Sequence, residues 1–343
     1  METERIKKIL RIAGPIAVAA FACFGRYPVS WLLSAPGHKA RSRGSANSQR
    51  LMLSRPYGNT VYVEIEGPQH GQPVVLLHGL NSDSRQWFRQ RDAFSKRYRL
   101  VLIDLAGHGR SPRPADLSVA ALAADLQYVI TQLGLKNPIL YGHSLGSMVI
   151  MKYLKRNLLP APAAAVLQQS SYTNPLKHTI AGRALLQMQK LLIEPYLRLA
   201  KKIPFLFRLI GWTNYFNGLN LIFYRYLFFT GNQSAGELRY VSRLAAQCPP
   251  EVVAEGILQL TRFDVTEDLR RIMVPCLVVG SASDRVCRPI ASLFESDHIP
   301  GAALGLLPGG HLSIIEYPED NNRLVGVFLR QHANKDVVPT VPK

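Results

Sequence analysis

One ten-residue stretch limits the fold of this chain more than any other: Pro138-Ile-Leu-Tyr-Gly-His-Ser-Leu-Gly-Ser147. It begins with a short apolar run at residues 139–141, and a helical apolar pattern follows at residues 148–151. This order predicts a strand, a sharp turn and a helix, with Ser144 at the apex of the turn. Whatever the chain folds into must accommodate that junction.

The two glycines of the stretch indicate how the turn is built. Gly142 and Gly146 stand two residues before and two residues after Ser144. Without side chains they let the strand and helix backbones approach closely, so the serine can adopt a strained conformation with its oxygen exposed. The pattern G-x-S-x-G also occurs by chance as a plain turn. The pentapeptide alone does not decide whether Ser144 is catalytic, so its role is inferred from the rest of the chain.

Predicted strands and helices alternate on both sides of this stretch. Continuous apolar runs, typical of strands buried on both faces, occur at residues 74–77, 100–105, 139–141, 164–168, 274–279 and 303–307. Residues 61–66 alternate apolar and charged side chains, as a half-exposed edge strand would. Helical patterns occur at residues 84–94, 117–133, 289–295 and 317–331. The alternation predicts an α/β fold with a mostly parallel, doubly wound sheet.

The alternation is interrupted at residues 173–250, which contain no pattern of a buried strand. Ten aromatic residues fall between positions 205 and 229. We expect a helical, aromatic-rich lid inserted into an α/β core made of residues 56–172 and 251–332. Some rings should pack against each other, and the others should line an apolar pocket or touch lipid. Residues 333–343 are expected to be a disordered tail.

The N-terminal segment, residues 1–35, is basic and apolar. Its uninterrupted apolar run is 13 residues long, shorter than the roughly 20 residues of a spanning helix. Residues 9–33 could still cross a bilayer if Arg11 and Arg26 extend towards the headgroups. We favour an uncleaved membrane anchor. A cleaved signal peptide, giving a secreted or periplasmic protein, and a peripheral or disordered apolar leader remain open. Residues 36–55 are interpreted as a linker.

The net charge points to an anionic partner. The chain has 41 Lys and Arg against 23 Asp and Glu, a net charge of +18, and such an excess favours nucleic acid or lipid headgroups. It contains no zinc-finger, RNA-recognition or helix-turn-helix signature, so nucleic acid is not expected. The basic residues cluster near apolar segments, which favours a membrane surface. The four cysteines are scattered and predict neither a metal site nor a disulfide framework.

Reactive side chains follow four of the predicted strands. In open parallel sheets, ligands gather at the carboxyl ends of the strands, and these loops carry His78-Gly79, Ser144, Asp284 and His311. A serine hydroxyl is a weak nucleophile until a base removes its proton, and a carboxylate orients that base. Serine, acid and histidine also stand in the chain order of one known catalytic triad.

Over residues 60–332 these motifs resemble the α/β-hydrolase superfamily, in its serine esterase and lipase branch. The overall plan is similar to that of membrane-anchored monoacylglycerol lipases. The resemblance rests on motifs that follow one another in order and at family-like spacing: His78-Gly79, Asp104-Leu-Ala-Gly-His-Gly-Arg-Ser111, Gly142-His-Ser-Leu-Gly146, Asp284 and Gly310-His311.

The resemblance implies a role for each matched residue. Ser144 would be the nucleophile, His311 the general base and Asp284 the acid that orients it. The backbone N–H groups of Leu80 and Leu145 would form the oxyanion hole. The backbone shape of the loop and the elbow would depend on three glycines: Gly79, Gly142 and Gly146. Because such a triad supplies both nucleophile and base, we expect no metal and no organic cofactor.

Several other polar residues near the strand ends have a structural interpretation. Asp104 is expected to hold a turn. The loop after residues 164–168 offers Ser170, Ser171 and Asn174 but no carboxylate, which favours Asp284 as the acid. Three histidines near the strand ends are expected to hydrogen-bond the backbone: His78, His108 and His143.

Together these features predict a membrane-associated serine hydrolase that cleaves a lipophilic acyl ester. One alternative keeps the triad but passes the acyl group to an alcohol or amine, or uses peroxide. A second alternative is a catalytically silent binding protein on the same fold. The intact set of serine, acid and histidine argues against the silent protein.

Overall fold

The computed structural model describes residues 14–15, 17–36, 48–155 and 161–333. Its centre is one sheet of eight strands in the order β1-β2-β4-β3-β5-β6-β7-β8. Strands β3 to β8 are parallel to one another, and β2 pairs antiparallel with both β1 and β4. The strand bounds are β1 Gln49–Ser54, β2 Thr60–Glu66, β3 Pro73–Leu77, β4 Arg99–Asp104, β5 Ile139–His143, β6 Ala164–Gln168, β7 Cys276–Ser281 and β8 Ala303–Leu307. The predicted mostly parallel α/β architecture is confirmed.

Helices cover both faces of the sheet. Their bounds are α1 17–24, α2 Arg26–Leu32, α3 Phe88–Phe94, α4 Val119–Gln132, α5 Leu145–Leu154, α6 Gly182–Met188, α7 Glu194–Lys202, α8 Pro204–Asn217, α9 Leu219–Leu227, α10 Ala235–Gln247, α11 Pro250–Leu260, α12 Pro289–His298, α13 Ser313–Glu316 and α14 Pro318–His332. Short 3₁₀ segments lie at Ser84–Trp87, Pro175–Lys177 and Thr266–Arg271, and a π-helical segment at Gln189–Ile193 joins α6 to α7.

The continuous apolar strands are explained by two cores, one on each face of the sheet. Along β3, Val75 and Leu77 point into the core beneath α4 and α5, whereas Val74 and Leu76 point into the core beneath α3 and α14. Successive side chains of a strand alternate between faces, so a strand covered on both sides must be apolar at every position.

The interpretation of residues 61–66 as an edge strand is wrong, because β1 lies outside them. Strand β1 falls within the residues interpreted as a linker and pairs with β2 along its length. In β2, Glu64 and Glu66 are buried, since Arg91 of α3 donates to both carboxylates at 2.8 and 3.1 Å. The alternating charges therefore mark two buried carboxylates that share one guanidinium and not a solvent-facing side.

Helices α6–α11, which we call the lid helices, form the insertion between β6 and β7. Residues 169–275 contain no strand, in agreement with the helical pattern. The helical region continues past residue 250, because α11 packs against α7 through Leu197 and Ala200 on one side and Ala254 and Leu258 on the other. The apolar residues of α11 thus contact both the lid helices, through Ala254 and Leu258, and the core beneath α4 and α5, through Val252.

The N-terminal helix α2 packs on the lid helices α8, α9 and α10. Arg239 donates to the hydroxyl of Ser30, and the side chains of Arg225 and Gln233 donate to the carbonyl of Leu33 at 3.1 and 2.9 Å. No helix within the described ranges is long and apolar enough to cross a membrane. The predicted tail from 334, residues 37–47 of the linker, and residues 1–13 and 16 of the leader lie outside the described residues.

Candidate active site

Four loops meet at the carboxyl edge of the sheet. They follow β3, β5, β7 and β8 and carry Gly79, Ser144, Asp284 and His311 respectively. Because these strands are parallel, residues far apart in the chain come together at one edge.

Ser144 occupies the junction between β5 and α5 in a strained conformation, with φ 54° and ψ −116°. Its N–H donates to the carbonyl of Gln168 at 2.9 Å, and its own carbonyl accepts from the N–H groups of Ser147 and Met148 at 3.0 and 3.2 Å. Hydrogen bonds on both sides therefore hold the serine in a region that non-glycine residues rarely adopt.

The crowding that the glycines were expected to relieve is present. A Cβ on Gly146 would lie 2.1 Å from the carbonyl oxygen of Leu77 in β3, and one on Gly142 would lie 2.4 Å from the nitrogen of Ser147. In both cases the obstacle is backbone, which cannot rotate away as a side chain can. The elbow thus requires glycine at both positions.

We expect Gly146→Ala to lower the free energy of unfolding by about 3 kcal/mol or more, because the new methyl group must displace β3 or α5. Urea unfolding followed by circular dichroism measures the change. Gly211→Ala in α8 is the matched control, since no atom of the described residues, apart from the helix's own backbone, would lie within 4 Å of a Cβ there. Helix propensity alone should stabilise that variant, by about 1 kcal/mol or less. Equal midpoints for the two variants would contradict the close approach of β3 and α5.

His311 and Asp284 form a buried pair. The Nδ1–H of His311 donates to Oδ2 of Asp284 at 2.8 Å, and the side chains are 3% and 0% exposed. The other oxygen, Oδ1, accepts the N–H groups of Val286 and Cys287 at 2.8 and 2.9 Å. The carboxylate is therefore held in one orientation, and the proton on Nδ1 leaves Nε2 of the imidazole as the acceptor.

Ser144 and His311 line the same cavity, together with Gly79 and Leu80. The cavity has a volume of about 450 Å³. Asp284 lies behind the imidazole and does not line it. Within the described part of the chain, the N–H groups of Leu80 and Leu145 have no hydrogen-bond acceptor. The arrangement thus offers a hydroxyl, an oriented imidazole and two free donors close to one space.

Most of the remaining cavity wall is apolar and comes from the lid helices. The contributing side chains are Leu185, Phe223, Leu227, Val241, Leu244, Val253, Ile257 and Leu260. Met148 and Ile315 add apolar surface from the core side. Tyr224 is the polar exception, and its hydroxyl accepts from the side-chain amide of Asn81 at 2.8 Å.

Gln169 is a site residue that the sequence interpretation missed. It is fully buried at the end of β6 with φ 50°. Its amide donates to the carbonyl of Gly310 and to Oδ2 of Asp284, the latter at 3.4 Å, and its Oε1 accepts from Ser313 at 3.0 Å. It thereby ties the loop of the acid to the loop of the histidine. The only sequence signal was a polar residue directly after a buried strand.

The other three histidines near the edge have structural partners, as predicted. Nδ1 of His78 hydrogen-bonds the carbonyl of Gly79, and Nδ1 of His108 that of Ala106. Nε2 of His143 hydrogen-bonds the carbonyl of His311 at 2.8 Å. Burial lowers the pKa to about 4 for His78 and His108 and to about 3 for His143, so all three are neutral at pH 7.

Two further carboxyl groups near the edge also have structural roles. Asp104 accepts the N–H groups of Ser84 and Arg110 at 2.7 and 2.8 Å, which holds a turn as predicted. Glu295 of α12 is buried beside Ser170, whose hydroxyl lies 2.9 Å from Oε2. Burial raises the pKa of Glu295 to about 8, so it is neutral at pH 7. Neither carboxyl group hydrogen-bonds the imidazole of His311.

The eight-stranded sheet and the serine, histidine and aspartate at its carboxyl edge are features of one protein family, and comparison with known proteins identifies the same family. Residues 74–323 match the alpha/beta hydrolase family, and the chain belongs to it. The protein is thus a hydrolase with an α/β-hydrolase fold.

The individual relatives carry names that refer to different enzyme activities. A protein from Caulobacter sp. (strain K31) that carries the name carbamate hydrolase RutD is 27% identical over 278 residues, covering 80% of this chain and 97% of its own. A non-heme chloroperoxidase from Burkholderia pyrrocinia is 29% identical, covering 66% and 78%. The structure of a thermophilic esterase from Thermogutta terrifontis superimposes with a TM-score of 0.64 at 22% identity, covering 83% and 100%. That structural likeness supports the fold.

Proposed function

We propose that this hydrolase cleaves a lipophilic acyl ester through an acyl-enzyme intermediate. The observation that carries the proposal is the shared cavity, in which Ser144 and His311 stand at the end of an apolar chamber. Its volume is in the range of sites for drug-sized ligands.

In the proposed mechanism, Nε2 of His311 takes the hydroxyl proton of Ser144 as Oγ attacks the ester carbonyl. The oxyanion that forms accepts the N–H groups of Leu80 and Leu145. Loss of one such donor costs on the order of 3 kcal/mol of transition-state stabilisation. Asp284 stabilises the imidazolium through the 2.8 Å hydrogen bond to Nδ1.

The intermediate then collapses in two stages. The imidazolium of His311 returns its proton to the leaving alkoxide, which departs as the alcohol and leaves the acyl group on Ser144. A water molecule, deprotonated by the same imidazole, attacks the acyl carbonyl. The bond from the acyl carbon to Oγ then breaks, the imidazolium returns its proton to Oγ of Ser144, and the carboxylic acid is released. Each stage uses the same base and the same oxyanion donors, so no other reactant is required.

The lining of the cavity supports a long acyl chain, such as that of a monoacylglycerol-like ester. An acetyl group would leave most of the apolar wall unfilled, whereas each buried methylene contributes about 0.8 kcal/mol. Apolar side chains make up most of the exposed wall, although polar residues also line it: Asn81, Ser82, Gln86, His143, Asn174, Thr179, Tyr224 and Thr261. The preference of the enzyme among ester substrates should therefore depend more on the length of the acyl chain than on the chemistry of the headgroup.

We expect kcat/KM for p-nitrophenyl octanoate to exceed that for the acetate by about 10-fold or more. Ile257→Trp should fill the chamber and shift the preference towards short esters. Ile290→Trp is the matched control, because Ile290 is exposed on α12 and lies outside the cavity. Steady-state kinetics over a series of chain lengths provide the measurement. A preference for acetate in the wild-type protein would contradict a lipophilic substrate.

Transfer of the acyl group to peroxide is a second candidate, favoured by the likeness to a chloroperoxidase. The acyl-enzyme would be the same, and hydrogen peroxide would replace water in the second stage. Product analysis with peroxide, an alcohol or an amine in competition with water separates these outcomes. Carboxylic acid as the main product in every mixture supports hydrolysis.

A further inference from the structure

We propose that the lid helices α7–α9 and helix α2 form one docking surface for an anionic phospholipid bilayer. The inference rests on the proposed function, because such a surface would bring a lipophilic ester to the same cavity. The helices would lie on the bilayer and not cross it.

Large apolar side chains are exposed along this surface. Phe205 is 81% and Leu209 54% exposed on α8, and Trp31 is 75% exposed on α2. Others on the same helices are Leu32, Tyr196, Leu199, Leu206, Ile210, Phe216, Leu219, Ile222 and Tyr226. Soluble proteins rarely expose so many neighbouring apolar side chains unless the patch binds a partner or a membrane.

Helix α2 belongs to the surface because it is fixed to the lid helices. The Arg26 guanidinium lies over the ring of Phe216 in α8 at 4.8 Å and over that of Tyr215 at 5.6 Å. Arg225 of α9 donates to the carbonyl of Leu33 just after α2. These contacts hold one side of α2 against the lid helices, while Trp31 stays exposed.

The surface is continuous with the mouth of the cavity. Phe223 of α9 lines the cavity, yet its side chain is 54% exposed. Ile222 and Tyr226, on either side of it along α9, are also exposed. A lipophilic molecule leaving a bilayer at this surface would therefore reach the cavity without crossing water.

The charge of α7–α9 selects an anionic bilayer as the occupant. Residues 194–227 contain a single acidic residue, Glu194, against five basic ones: Arg198, Lys201, Lys202, Arg208 and Arg225. Basic side chains beside exposed apolar ones are typical of helices that lie in the headgroup region of anionic membranes. A second copy of the chain would bring the same positive charge against itself and would be repelled.

Sedimentation of the full chain with vesicles tests the proposal. We expect wild type and Ser144→Ala to bind phosphatidylcholine vesicles containing about one third phosphatidylglycerol, and Phe205→Asp combined with Leu209→Asp to bind at least about 10-fold more weakly. Met273→Asp is the matched control, because Met273 is 74% exposed just before β7, at the opposite edge of the sheet. Hydrolysis of a short soluble ester should be unchanged in the Phe205/Leu209 variant, whose two residues lie outside the cavity.

A second pair of variants tests the charge. Lys202→Glu with Arg208→Glu should remove most of the preference for anionic over pure phosphatidylcholine vesicles, whereas Arg270→Glu, near the opposite edge, should not. Wild-type binding by the Phe205/Leu209 variant would overturn the docking surface, as would equal binding of wild type to both kinds of vesicle. Vesicle binding by a protein that hydrolyses no ester would instead overturn the proposed function and leave the surface intact.

Discussion

Replacement of Ser144 by alanine is expected to abolish covalent labelling by a fluorophosphonate and to lower kcat by about 10⁴-fold or more. The proposed nucleophile is the only hydroxyl at the apex of the elbow, and without Oγ the imidazole of His311 has no alcohol to activate. Labelling followed by peptide mapping, together with steady-state kinetics, measures both effects.

The control for this experiment lies three residues further on. Ser147 is buried, and its hydroxyl accepts the N–H of Gln168 at 2.9 Å. Ser147→Ala should change stability slightly but leave the labelled peptide the same. Equal labelling of wild type and Ser144→Ala would show that another residue reacts with the probe and would remove the basis of the mechanism.

Asp284→Asn should lower kcat by about 10⁴-fold while the protein remains folded. An asparagine amide facing Nδ1 of His311 would favour the tautomer with its proton on Nε2, and that nitrogen could then no longer accept the serine proton. The effect should appear mainly in kcat, because Asp284 does not line the cavity. Steady-state kinetics and thermal unfolding monitored together separate loss of the base from loss of the fold.

Asp297→Asn provides the comparison for this substitution. The Asp297 side chain is 81% exposed at the end of α12, so its loss should leave kcat within about twofold of wild type, as for most surface substitutions. An Asp284→Asn enzyme that retained wild-type kcat would exclude Asp284 as the orienting acid, whatever its distance from His311.

The parts of the fold predicted from sequence are those governed by local patterns. Buried strands must be apolar at every position because both faces are covered, so β3 and β4 were visible as continuous runs. The glycines around Ser144 were informative because only glycine fits where β5 turns into α5. The partner that imposes the constraint can be distant, as Leu77 of β3 is for Gly146, but the constraint leaves a regular spacing of residues that is visible along the chain.

The errors arose where the deciding partner is distant in sequence. Glu64 and Glu66 suggested an exposed edge, but Arg91, about 25 residues later, neutralises them inside the structure. Strand β1 was not predicted, because it contains no continuous apolar run and is recognised only by its antiparallel pairing with β2. Likewise, no local pattern indicates that α11 packs on α7, because the two helices are about 50 residues apart in the chain.

By itself, then, the sequence determined the alternating architecture, the elbow at Ser144 and the order of the reactive residues, since each depends on local spacing or on the chain direction of parallel strands. Only the tertiary structure showed that Asp284 lies 2.8 Å from His311, that Gln169 joins their loops, and that the lid helices enclose an apolar chamber. These features depend on contacts between segments more than 25 residues apart, which local patterns do not encode.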